Sequence, residues 1–171
     1  MRRIAACLLM IIVALHAWHS YAQQETVGQS IKNCSFPLAG TSPSTSDSDL
    51  AFLQHVLGGA DIVALGEATH GTREFFTVKH QIIKYLVEHR GYRVFALEAN
   101  FSECSVINEY VMHGKGDPVA ALKGIYFWTW NTVEMLDMIQ WMRQYNTGKA
   151  EGDKVQFWGI DMQYGRKAAE V

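Results

Sequence analysis

Glu67 and His70 stand three residues apart in the segment Gly66-Glu67-Ala68-Thr69-His70-Gly71, and their types are those of acid–base chemistry. In a turn-like loop this spacing lets both side chains point into one cavity, where a carboxylate orients an imidazole and raises its basicity. Gly66 and Gly71 flank the pair and let the backbone turn sharply and approach a ligand closely. Two further carboxylates, Glu98 and Asp161, end or follow apolar runs. Lys79 lies inside a helical apolar stripe, four after Phe75 and three before Ile82. An ammonium there seeks an anion or a developing oxyanion, unless its stem merely covers apolar surface while its head reaches water. Plainer uses exist for the first pair as well: Glu67 as a carboxylate at a helix start, His70 as a loop histidine satisfied by backbone.

Positioning such a set requires a scaffold, and the hydrophobic pattern supplies one. Asp49 to Leu57 reads as a short helix closed by Gly58-Gly59, and Ile62-Val63-Ala64-Leu65 as a first, buried strand. Thr72 to Arg90 has the three-and-four spacing of an amphipathic helix, stopped by Gly91. Arg93 to Glu98 forms a second strand, and Ser102 to Met112 a helix. Asp117-Pro118 opens another helix, Asn131 caps a longer one to about Tyr145, and Lys154 to Ile160 makes a third strand. Strands alternating with helices imply an α/β fold, a parallel sheet flanked by helices on both faces. In open parallel sheets ligands bind beyond the carboxyl ends of the strands, where Glu67, His70, Glu98 and Asp161 all fall. The run Tyr126-Phe127-Trp128-Thr129-Trp130 is either core or an apolar wall for a large ligand, with Trp128 and Trp130 as substrate-binding candidates. Asn131 with Glu134 resembles a capping box, a structural role for Glu134.

The 171 residues, 49% hydrophobic and 19% charged, suit one globular domain with a core. A net charge of -2 and the lack of a basic run argue against nucleic acid as a partner. Arg2 and Arg3 precede an apolar run from Ile4 to Ala17 and then Ser20-Tyr21-Ala22, the pattern of a signal peptide cleaved after Ala22. A membrane-spanning helix needs roughly 20 apolar residues, and His16 and His19 interrupt this run. The expected product is therefore exported, periplasmic or secreted, with no stable membrane anchor after cleavage. Residues 23–48, rich in Ser, Thr, Gly and Pro, read as a lead-in linker, and 49–171 as the domain. Cys34 and Cys104 have the choice between a disulfide and two separate roles, an exposed thiol and a buried small hydrophobe.

Gly66-Glu67-Ala68-Thr69-His70-Gly71-Thr72-Arg73-Glu74-Phe75-Phe76 and Phe95-Ala96-Leu97-Glu98-Ala99-Asn100-Phe101-Ser102-Glu103 resemble the erythromycin esterase family. Trp128-Thr129-Trp130-Asn131-Thr132 and Trp158-Gly159-Ile160-Asp161-Met162-Gln163 look like that family too, so the resemblance runs from about Asp49 to Gly165. It implies hydrolysis of a small-molecule ester or lactone, macrolides among them, by water that a histidine activates. The family histidine falls on His70 as general base, the associated carboxylates on Glu67 and Glu98, and a basic position that is arginine in some members on Lys79. Lysine lacks the bidentate fork of arginine, so a macrolide substrate does not carry over directly. Family members continue beyond the length of this chain with further active-site histidines, which implies the N-terminal part of a catalytic domain.

Three functions follow as expectations. The first is an esterase-like hydrolase that works through His70 without a metal or other cofactor. The second is a divalent-metal hydrolase with Glu67, His70, Glu98 and Asp161 as ligands to an ion such as Zn²⁺ or Mn²⁺. The third is a catalytically incomplete binding module that keeps the pocket wall.

Overall fold

The structure, a computed structural model, describes Ile12, His16 and residues 27–163. The expected leader and its cleavage point lie outside them, apart from Ile12 and His16. Two compact units divide the chain, Met1–Pro37 and Leu38–Val171. In the first, residues 27–33 are helical where the sequence pattern shows only a linker. The turn rests on local bonds rather than on an apolar face: Gln29 donates to the Asn33 side chain (3.0 Å) and the Cys34 N–H to the Ser30 carbonyl (3.2 Å). Cys34 is exposed, Cys104 is buried, and both thiols are free.

In the second unit the expected helix at 49–57 is two pieces. A 3-10 turn spans Asp47–Leu50, capped by the Ser46 hydroxyl, and α1 spans Leu53–Leu57. Leu50 anchors this end by packing with Tyr85 and Leu86. Arg90 and Tyr92 donate to the Gly58 and Ala60 carbonyls and tie the following turn down. Ile62-Val63-Ala64-Leu65 is not a strand. Its side chains alternate as in one, with Val63 and Leu65 half-buried against the two apolar clusters and Ile62 87% exposed. Its backbone, however, joins no ladder among the described residues, and a strand exists only through its partner's hydrogen bonds.

α2 spans Arg73–Arg90 and ends as expected, with Gly91 left-handed (φ 75°) and its N–H on the Leu86 carbonyl. β1 (Val94–Asn100) leads directly into α3 (Phe101–His113), followed by α4 (Pro118–Lys123), α5 (Val133–Asn146) and β2 (Gln156–Asp161). The Asp117 carboxylate accepts the Val119 N–H (3.0 Å) at the start of α4. The α5 cap is Thr132, not Asn131: Thr132 is extended and its hydroxyl accepts the Met135 N–H (3.2 Å). Glu134 thereby misses the capping-box position and instead pairs with Arg73 (3.2 Å).

β1 and β2 form a parallel sheet in the register Val94↔Gln156 to Leu97↔Gly159, with a shift before Asn100↔Asp161. The fold is α/β. Leu97, Ala99 and Phe157 pack under α2, α3 and α5 in one core with Phe76, Ile83, Cys104, Ile107, Ile139 and Met142. Residues 94, 96 and 98 of β1 alternate to the other face and are exposed. Burial pushes the Cys104 thiol up to about 12, with Glu103 adding to the effect, so it sits in the core as a neutral thiol. Buried Asn146 stitches three elements together, donating to the Val111 (3.0 Å) and Val155 (2.7 Å) carbonyls and accepting the Val155 N–H (2.7 Å). Asn108 accepts the Phe157 N–H (2.9 Å) and so joins α3 to β2.

Gly159 is required where the register shifts. A Cβ there would lie 2.4 Å from the Ala99 carbonyl oxygen and 2.5 Å from that of Asn100. Both obstacles are backbone, which cannot rotate aside. Gly159→Ala is expected to cost about 1–3 kcal/mol or more, read as a lowered midpoint in urea unfolding. A variant as stable as the parent would mean that β1 and β2 approach less closely than this.

Candidate active site

The loop between Leu65 and α2 places the site. Gly71 adopts φ 79°, a conformation that L side chains rarely take, and turns the chain into α2. The Thr69 and Thr72 hydroxyls bond to each other across this turn (2.8 Å). Glu67 continues the inward alternation of Val63 and Leu65, and its side chain is only 11% exposed.

The Glu67 carboxylate is shared between two bases. His70 Nδ1 lies 2.6 Å from Oε1, and Lys79 Nζ lies 2.6 Å from Oε2. Lys79 reaches it from the second turn of α2, twelve residues on, with its side chain 20% exposed. Burial works against the charge of Glu67, but the hydrogen bonds from Lys79 and His70 outweigh it and hold the carboxyl below its usual range. Glu67 is thus an anion at neutral pH. With Nδ1 engaged on the carboxylate, the Nε2 edge is the part of His70 left for another molecule, and the ring is 56% exposed.

Trp130 supports this arrangement from the core side. It is 6% exposed, and its indole N–H donates to the Glu98 carbonyl of β1 (3.0 Å). Its ring meets His70 edge-on at 6.2 Å and Phe76 at 6.0 Å. Trp128, 73% exposed, lies alongside Gly71, with a ring carbon 3.7 Å from where a Cβ would be. The two tryptophans of the aromatic run therefore differ: one is packed beneath the histidine, the other stands open beside the loop.

The remaining acidic candidates stand apart from this triad. β1 runs to Asn100, so Glu98 lies within the strand rather than at its end, on the exposed face. No hydrogen bond or ion pair among the described residues links its carboxylate to Glu67, His70 or Lys79. Asp161 does end β2, but its oxygens accept the Met162 N–H (2.7 Å) and the Gln163 amide (2.5 Å). Glu67, His70, Glu98 and Asp161 do not gather into a three-ligand cluster among the described residues. Asp47 at the start of the 3-10 turn and Glu88 and His89 near the end of α2 do bring ligand atoms within 4.8 Å of one another. Sequence reasoning missed Arg73, whose pairing with Glu134 ties the start of α2 to α5 beside the loop. Its signal was position: an arginine three residues after His70 on the first turn of the helix.

Comparison with known proteins places this geometry in context. The family model for erythromycin esterase matches residues 87–171, a stretch that includes Glu98 and Asp161. The erythromycin esterase type II of Escherichia coli is 33% identical over 135 residues, 77% of this chain and 30% of that protein. A crystal structure of a Bacillus cereus protein superposes with a TM-score of 0.78 at 37% identity, over 85% of this chain and 35% of the other. A succinoglycan biosynthesis protein gives a TM-score of 0.75 at 38% identity, over 82% of this chain and 35% of the other. This chain thus spans about a third of the length of the relatives it matches. Motifs, fold and relatives agree: the chain belongs to the erythromycin esterase family.

Proposed function

We propose that this chain carries the histidine site of a hydrolase that cleaves an ester or lactone of a small molecule, with His70 as general base. The observation that carries this reading is the Glu67 carboxylate held 2.6 Å from both His70 and Lys79. His70 donates from Nδ1 to Glu67, so the lone pair on Nε2 takes a proton from water as that water attacks the carbonyl carbon. Glu67 orients the imidazole and stabilises the imidazolium that forms. Lys79 holds the second oxygen of Glu67 in place and balances its charge. Exposed Trp128, beside Gly71, offers apolar surface to the substrate. Family membership supports hydrolysis, and the Arg2-Arg3 start followed by the apolar run to Ala17 supports an exported enzyme. Among the described residues no helix is long and apolar enough to cross a membrane.

Lys79 provides the test. In a protein carrying the complete family domain, Lys79→Met keeps the stem and removes the charge. Loss of one charge-assisted hydrogen bond, about 1.5–3 kcal/mol, is expected to lower kcat by roughly tenfold to a hundredfold, while Lys79→Arg keeps most of it. Full activity in Lys79→Met would remove the lysine from the site. The reading also has no resident metal: dialysis against a chelator is expected to leave the rate within twofold. A loss that Zn²⁺ or Mn²⁺ restores would favour the metal-dependent alternative.

A further inference from the structure

α2 presents two different faces. Lys79 turns to Glu67, while His80, about 100° further round the helix, lines a separate cleft of about 260 Å³. The turn Thr41-Ser42-Pro43, the first half of α2 and the first turn of α5 enclose it. Lys84 clamps that turn through the Pro43 carbonyl (3.5 Å) without lining the cleft. Glu67, His70, Lys79 and Glu98 do not line it either.

Two features of the cleft call for the same kind of ligand. Its walls carry Glu74, Glu134 and Asp137 against a single cation, Arg73, which is spent on Glu134 at 3.2 Å. Glu74 and Asp137 remain without an ion pair among the described residues. His80 is 5% exposed, its ring packs on Trp141 at 5.5 Å, and its Nε2 has no hydrogen-bond partner. Burial, helped by the charge of Lys84, pushes its pKa down to about 4, so the imidazole is neutral at pH 7. In the tautomer protonated at Nδ1, Nε2 is an acceptor, and a buried acceptor left unmet costs free energy that a donor would recover.

We propose that this cleft binds a small organic cation bearing N–H donors, a protonated amine, between the carboxylates of Glu74 and Asp137 with an N–H directed to His80. The site is distinct from the hydrolytic centre and stands or falls without it. Titration calorimetry of the chain at pH 7.5 and low salt, with putrescine as probe and succinate as its anionic counterpart, tests the idea. Putrescine is expected to bind, succinate to give no heat, and Glu74→Gln with Asp137→Asn to weaken putrescine at least tenfold. Both residues are exposed, so the variants are expected to fold. In a ¹⁵N-labelled sample, saturation with putrescine is expected to shift the His80 Nε2 resonance. Absence of putrescine binding, equal binding of succinate, an affinity within twofold in the double variant, or binding that leaves Nε2 unmoved would each overturn the proposal.

Discussion

His70→Asn, placed in a protein with the complete family domain, is expected to lower kcat on an ester substrate by about 10² to 10⁴, the range for removing a general base. The prediction rests on a division of labour within one ring. Nδ1 is committed to Glu67 at 2.6 Å, so the exposed Nε2 edge is the part that can meet water. Asparagine retains a polar group that can bond to Glu67 but has no basic nitrogen. Glu67 also keeps its bond to Lys79, so the loop is expected to hold its shape. The circular dichroism spectrum should therefore match the parent, and the loss should fall on kcat rather than KM. Turnover within a few-fold of the parent would take His70 out of the base role.

Acid is expected to destabilise the fold through His80 well before the carboxylates titrate. In the unfolded chain this histidine binds a proton below about pH 6.5; in the folded chain, desolvated against Trp141 and facing the charge of Lys84, only below about 4. Between those values unfolding takes up a proton, so stability is full above pH 6.5 and falls as the pH drops toward 4. Near the lower limit the loss reaches roughly 3 kcal/mol, because each pH unit between the two values is worth about 1.36 kcal/mol. His80→Phe fills the same apolar space without a titrating group and is expected to flatten the curve. Urea midpoints of both proteins at pH 7, 5.5 and 4.5 decide the matter. Parallel losses in the two would show that the imidazole is not the group responsible. The lowered pKa of Glu67 acts in a different window: its contribution is present above about 4.5 and is lost only below that.

Much of this molecule is local and hence legible in one dimension. The spacing of Phe76, Ile83 and Val87 and the stop at Gly91 define α2 almost to the residue, and Asp117-Pro118 marks the start of α4. The apolar runs at 93–98 and 154–160 lie within one or two residues of β1 and β2. The Glu67–His70 pair was visible because three residues of a tight loop bring its ends together whatever surrounds it. Lys79 was visible as an anomaly, a charge on an apolar stripe, and its need for an anion is met by Glu67.

Where the outcome depends on a partner distant in the chain, the pattern was silent or misleading. Ile62–Leu65 has strand composition, but pairing needs a neighbouring backbone, and periodicity says nothing about whether one is there. Asn131 and Thr132 are both good caps, and only the extended conformation at Thr132 chose between them. Trp128 and Trp130 look alike in sequence, yet the Glu98 carbonyl draws one indole into the core and leaves the other in solvent. His80 had no metal-ligand spacing to mark it, since its interest arises from burial between α2 and α5 and from a cleft whose third wall lies some forty residues upstream. Residue order alone sufficed for α2, α4 and the two paired strands, and for the Glu67–His70 spacing, because those follow from local periodicity and residue type. Only the tertiary structure brought Glu67 against His70 and Lys79 together, with no bond among the described residues joining Glu98 or Asp161 to them, because burial, pairing and strand length arise only when distant segments compete for the same space.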